Sequence, residues 1–166
     1  MSREGSTSRL MHGAVLWAAA AVLASVMFPW VRFTLSGPSE SYPGRIIVSV
    51  YSVSGMNLAE GLIAFLLGAL AIAGTVVFKR LGMKWAVVVA PVCGLGITGI
   101  AIYGMILLDR FTGAIEPDQV RVGFGLLVVL FAGPLILGVS SMVALEALRS
   151  AEPPGAQDRT EAKLGR

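Results

Sequence analysis

Few side chains in the apolar stretches of this chain can do chemistry, and each has a narrow repertoire. Glu60 lies about one turn into the apolar run that follows Asn57. A carboxylate near hydrocarbon is costly to keep charged, so it is a candidate for proton coupling or cation selection. The competing reading holds Glu60 at interface level, favoured by the positive end of a helix that Asn57 caps, with Arg32 or Arg121 as its ion-pair partner. His12 stands near the start of the first apolar run and reads as an interfacial residue; it is the single histidine, which excludes bis-histidine haem ligation. Cys93 is the single cysteine, so an intrachain disulfide, a cysteine-based zinc cluster and quinone-linked disulfide chemistry are all excluded. There is no HExxH, no GxSxG and no phosphate-cradling glycine loop. Asp109, Arg110, Glu116, Asp118 and Arg121 flank a polar loop and read as headgroup-level ion pairs. No catalytic, cofactor-binding or metal-binding residue is therefore assigned, and the reading is not an enzyme.

The elements that carry these residues are set by composition. Of 166 residues 55% are hydrophobic and 14% charged, with mean hydropathy +0.79, which is too apolar for an ordinary water-soluble domain of this size. The sequence predicts an all-α membrane protein: four transmembrane helices over 10–29, 58–78, 85–108 and 122–148, within a domain spanning 10–148. Residues 1–9 and 149–166 are expected to be disordered tails. A cleaved signal peptide is the alternative for the first run, but that run is longer than a typical hydrophobic region and ends in Pro29-Trp30, not at a small-residue cleavage site. Pro91 and Pro134 fall inside the third and fourth helices, where each removes a backbone hydrogen bond and predicts a kink.

A pI of 9.4 suits nucleic acid in a soluble protein, yet here the basic residues sit in short loops and tails. No nucleic-acid partner is expected. Nine of the 13 Lys and Arg residues (Arg3, Arg9, Lys79, Arg80, Lys84, Arg149, Arg159, Lys163 and Arg166) fall on the side holding both tails and the basic hinge 79–84. Arg32, Arg45, Arg110 and Arg121 fall on the other. The positive-inside rule then places both termini in the cytoplasm and the loops 30–57 and 109–121 outside the plasma membrane, which is the cell inner membrane of a bacterium.

The longer outer loop alternates at Val31, Phe33 and Leu35 against Arg32, Thr34 and Ser36, and Arg45 to Val53 is dense in β-branched residues with Ile46, Val48 and Val50 on one side. Period two with turn residues between predicts a β-hairpin capping the bundle; two interfacial segments are the alternative. Such a hairpin needs support from the helix ends or a partner. In the second helix Gly61, Ala64, Gly68, Ala71 and Thr75 form a small-residue face, matched in the first by Ala14, Ala18, Ala21 and Ser25. Small faces let backbones approach closely; they are expected to pack within the bundle, with self-association as the alternative.

The exit Met27-Phe28-Pro29-Trp30-Val31, an outer polar loop, a basic inner hinge and a Gly-rich fourth helix resemble small actinobacterial four-span membrane proteins, the tryptophan-operon-associated membrane protein family among them. That resemblance implies a layout and lends no catalytic residues. Claudin-like proteins also pair four helices with a β-rich first outer loop, but their paired loop cysteines and Trp-Gly-Leu-Trp motif are missing here. The functional expectation is an accessory or structural subunit that sits in the lipid bilayer and binds another membrane protein or forms a homo-oligomer. A small oligomeric transporter or channel using Glu60 is the alternative.

Overall fold

Long apolar runs satisfy their own backbone groups as helices, and in this chain four such runs do so. The computed structural model describes residues 3–38, 46–83, 85–112 and 120–149. Its elements are α1 (Arg3–Ser25), β1 (Pro29–Pro38), β2 (Ile46–Ser54), α2 (Ala59–Leu81), α3 (Ala86–Thr112), β3 (Val120–Val122) and α4 (Phe124–Arg149), with a 3-10 turn at Gly55–Asn57 before α2. The expected turn at 39–45, Lys84, residues 113–119 and the tail beyond Arg149 lie outside the described residues.

The helices form a ring in which α1 and α3 each pack against both α2 and α4. All three strands emerge at one end of this bundle, because β1 and β2 connect α1 to α2 and β3 connects α3 to α4. The hinge between α2 and α3 lies at the other end with Arg3 and Arg149. Three helical stretches, Ala59–Leu81, Ala86–Leu108 and Phe124–Leu148, are long and apolar enough to cross a membrane; the apolar part of α1, Leu10–Ser25, is shorter.

Several boundaries differ from expectation for identifiable reasons. Helix α1 begins at Arg3, inside the expected disordered tail, and stops at Ser25, because the chain must turn at Val26–Phe28 and enter β1 at Pro29. Proline lacks the N–H that a strand interior needs, so the first position of a strand suits it. Helix α2 runs through Lys79, Arg80 and Leu81, where basic side chains favour the negative end of the helix. Gly82 then ends it in the left-handed region (φ 63°), its N–H bonding the Phe78 carbonyl at 3.0 Å. The hinge is thus shorter than 79–84. At the sheet end α3 continues to Thr112, and α4 starts at Phe124 because Val120–Val122 form a strand.

That strand corrects the predicted hairpin. The sheet has three antiparallel strands in the order β2-β1-β3, with Arg32 paired to Ser52 on one side and to Arg121 on the other. The third strand supplies support that a lone hairpin lacks.

Packing follows the small residues. Gly61, Ala64, Gly68, Ala71 and Thr75 are all buried, and a Cβ at Gly68 would stand 3.3 Å from Val22 and Leu23 of α1. On α1 the buried face is Val15, Ala18, Ala19, Val22 and Ser25, continued by Val26 just past its end; Ala14 is half-buried, and Ala21 points outward, off the expected stripe. Helices α3 and α4 touch through Gly94 and Gly133: a Cβ on Gly94 would lie 2.6 Å from the Leu137 nitrogen, and one on Gly133 2.9 Å from that of Thr98. Both helices run unbroken through Pro91 and Pro134. Cys93 is buried in the core of α3.

The tightest packing surrounds Trp30, which is 2% exposed. The register shifts between Pro29 and Val31, a bulge that turns Trp30 and Val31 to the same side of β1. The indole Nε1–H donates to the Ser25 carbonyl at 3.2 Å, and the Trp30 carbonyl accepts from Gly123 N–H at 2.7 Å. A Cβ on Gly125 would fall 2.6 Å from the indole Cδ1, and one on Gly55 2.5 Å from Nε1. Gly61 in turn has the Gly55 backbone against it. Gly125→Ala should therefore lower the thermal midpoint in detergent clearly. Gly99→Ala, with nothing within 4 Å of the new methyl, should hold or raise it, since Ala exceeds Gly inside a helix by roughly 1 kcal/mol. Equal losses in the two variants would contradict this packing.

Candidate functional site

Pleating sorts the sheet's side chains onto two faces. Val31 and Phe33 of β1, Val53 of β2 and Val120 of β3 turn toward the bundle, where Val120 is buried and the others are half-buried. Arg32, Ser52 and Arg121 turn away from it and are exposed. Antiparallel pairing sets Arg32 directly opposite Arg121, the arrangement in which like charges on neighbouring strands repel. Val50, which faces the same way as Thr34, leaves an apolar patch beside them, being 66% exposed. The expected strand alternation at Val31 and Phe33 holds, and Arg32 falls on the polar face as the pattern requires.

Beneath the inward face is a cavity of about 170 Å³. Its roof is Val31, Phe33 and Val53, its far wall Gly104, Leu107 and Leu108 of α3, and Trp30 and Leu126 close its side. Glu60 is the one ionisable residue among those lining it. It stands in the first turn of α2, half-buried, on the same stripe as Leu67 and Gly74, which meet Gly96 and Val89 of α3. Spacing of seven residues keeps these three on one side of the helix.

This geometry overturns two expectations about Glu60. Neither Arg32 nor Arg121 is its partner, because both lie on the opposite face of the sheet from the residues that roof its cavity. Asn57 does not cap α2: it ends the 3-10 turn, and Leu58 occupies the cap position without a side-chain hydrogen bond. The uncapped N–H groups and helix dipole remain the nearby positive charge.

Other polar groups are quieter. Ser25 Oγ donates to the Val22 carbonyl at 2.6 Å, Thr75 Oγ1 to Ala71 at 2.8 Å, Thr98 Oγ1 to Gly94 at 2.7 Å, and Ser140 Oγ to Ile136. Each hydroxyl is thereby satisfied within its own helix. His12 sits toward the hinge end, its ring stacked on Phe78 at a centroid distance of 5.9 Å. The partners that bury Trp30, and the strand that brings Arg121 beside Arg32, escaped the sequence reading; the nearest signal was Gly123-Phe124-Gly125, two glycines at the start of an apolar run.

Compared with known proteins, the chain matches no family model and no curated protein.

If the Arg32–Arg121 juxtaposition is uncompensated in the isolated protein, Arg121→Ser should stabilise it by on the order of 0.2–1 kcal/mol. The gain should shrink as salt rises. Denaturation in detergent at low and high ionic strength measures this, and a loss of stability at both would mean that Arg121 holds the fold together.

Proposed function

We propose that this chain is a four-span protein of the cytoplasmic (inner) membrane with both termini cytoplasmic, serving as a non-enzymatic accessory subunit that binds another membrane protein through the outward face of its sheet. Three helices meet the length and hydropathy of a membrane span. The apolar part of α1 covers roughly 24 Å against about 30 Å of hydrocarbon; Val26, Met27 and Phe28 extend it toward β1. Both tails and the hinge leave the same end of the bundle, so the nine-to-four division of basic residues favours that end as cytoplasmic.

The observation that carries the binding role is the exposed pair Arg32 and Arg121, directly opposite one another on a sheet held against the bundle. Two guanidinium groups in that position are a liability in isolation and an asset once a carboxylate lies between them, since each forms a fork that matches carboxylate geometry. The partner feature is therefore an acidic segment presented outside the membrane. Exposed Val50 gives it apolar area.

An oligomeric transporter or channel using Glu60 is the second reading, favoured by the position of Glu60 on a cavity wall. The hydroxyls bonded back into their own helices among the described residues weigh against a polar pathway through the bundle.

A photo-crosslinking residue at position 50 in native membranes tests the binding role. The expected result is one discrete protein adduct, reduced several-fold when Arg32→Glu and Arg121→Glu are combined. Adducts with lipid alone, or a yield indifferent to both charge reversals, would overturn it.

A further inference from the structure

The two edges of the sheet differ. β1 lies in the middle, paired on both sides, while β2 is an outer strand whose far edge is unpaired among the described residues. Such an edge carries a row of N–H and C=O groups that template another strand. At the opposite edge β3 is three residues long and packs against α3. β2 is nine residues long, Ile46–Ser54, and holds neither a charged residue nor a proline. Shortness, charge and proline are the devices that keep an edge from pairing, and β2 has none of the three. The seven residues that join the paired ends Pro38 and Ile46 are too few to fold back along more than its first half. Arg3 and Arg149 lie at the other end of the bundle.

We propose that this edge pairs with β2 of a second copy of the chain, antiparallel and two-fold symmetric, so that a homodimer carries one continuous six-stranded sheet. Symmetry fixes the register. Centred on Val50, the midpoint of the strand, the pair uses all nine residues of each copy and sets Val50 against Val50 and Ser49 against Tyr51. No like charges meet across it, because the strand has none. Val50 and Tyr51 are 66% and 57% exposed and fall on opposite faces of the strand, so each face gains an apolar neighbour at the axis. The same symmetry suits a membrane. The two-fold axis of an antiparallel pair is perpendicular to the sheet, and the inner face of this sheet roofs a cavity among the helix ends. The axis therefore runs toward the bundle, and both copies enter one bilayer in the same sense. A second copy presents its edge at the same height by construction, which an isologous interface requires. The pairing uses the edge and leaves the outward face open, so it does not rest on the Arg32–Arg121 pair.

Purified protein in lipid vesicles tests the register. Opposed residues of an antiparallel pair have Cα atoms about 4.5–5.5 Å apart, within the range a disulfide spans. Oxidation of Val50→Cys should therefore give a disulfide-linked dimer as the main product. Ser52→Cys, on the same face but about 14 Å from its copy along the strands, should give at least fivefold less, and the parent protein none, since Cys93 is buried. A second test keeps the native cysteine. By light scattering in mild detergent the parent should be dimeric, Val50→Lys and Val50→Glu each monomeric, and the two variants expressed together dimeric again. Combining Arg32→Glu with Arg121→Glu should leave the dimer intact, which separates this pairing from the binding role of the outward face. A monomeric parent, equal disulfide yields at positions 50 and 52, or dimers indifferent to a charge at position 50 would overturn the proposal.

Discussion

The structure depends on how closely the Trp30 indole is enclosed by backbone. Its ring is bounded by Gly55 at the start of the turn into α2 and by Gly125 in the first turn of α4, and its N–H is bonded to the last residue of α1. One side chain from the sheet thus meets the end of α1, the start of α4 and the turn that leads into α2. Burial of a tryptophan side chain is worth several kcal/mol, as its truncation in a core shows, and here that free energy is spent where sheet and bundle join. The backbone hydrogen bonds Gly123 N–H to Trp30 and Met56 N–H to Val26 tie the same junction. Glycine is required at these positions for close approach, since a methyl group would occupy the space of the ring.

Because the sheet is held in this way, the alternation of β1 becomes a separation of chemistry. Val31 and Phe33 face the bundle and roof an apolar cavity; Arg32 faces away and is joined there by Arg121. Without the bulge at Trp30 the tryptophan would share a face with Arg32, and the junction would be lost. The carboxylate of Glu60 and the two guanidinium groups, natural partners by charge, are kept apart by the thickness of the sheet.

Much of this was legible in the chain. Four apolar runs specified four helices, and the period-two stretch after Pro29 specified a strand with Val31 and Phe33 inward, because lipid-like burial and pleating leave a direct imprint on residue order. The Gly61-to-Thr75 face was equally readable from its spacing. What was hidden arises from long-range pairing. Val120–Val122 is too short for periodicity to register, and it is a strand only because β1 offers it an edge. The pairing of Glu60 with an arginine was reasonable from sequence proximity to the same bundle end, yet a sheet face cannot be assigned until register is known. The enclosure of Trp30 by Gly55 and Gly125 likewise depends on residues far along the chain.

The central claim is that Trp30 joins the whole sheet to the helix ends as one cooperative unit. Hydrogen exchange measured by mass spectrometry on Trp30→Leu beside the parent protein tests this most directly. The account predicts that amides of 29–38, 46–54 and 120–122 lose protection together while those in the middle of α2 and α3 retain it. Unchanged protection of the strands, or loss confined to the residues flanking position 30, would contradict it.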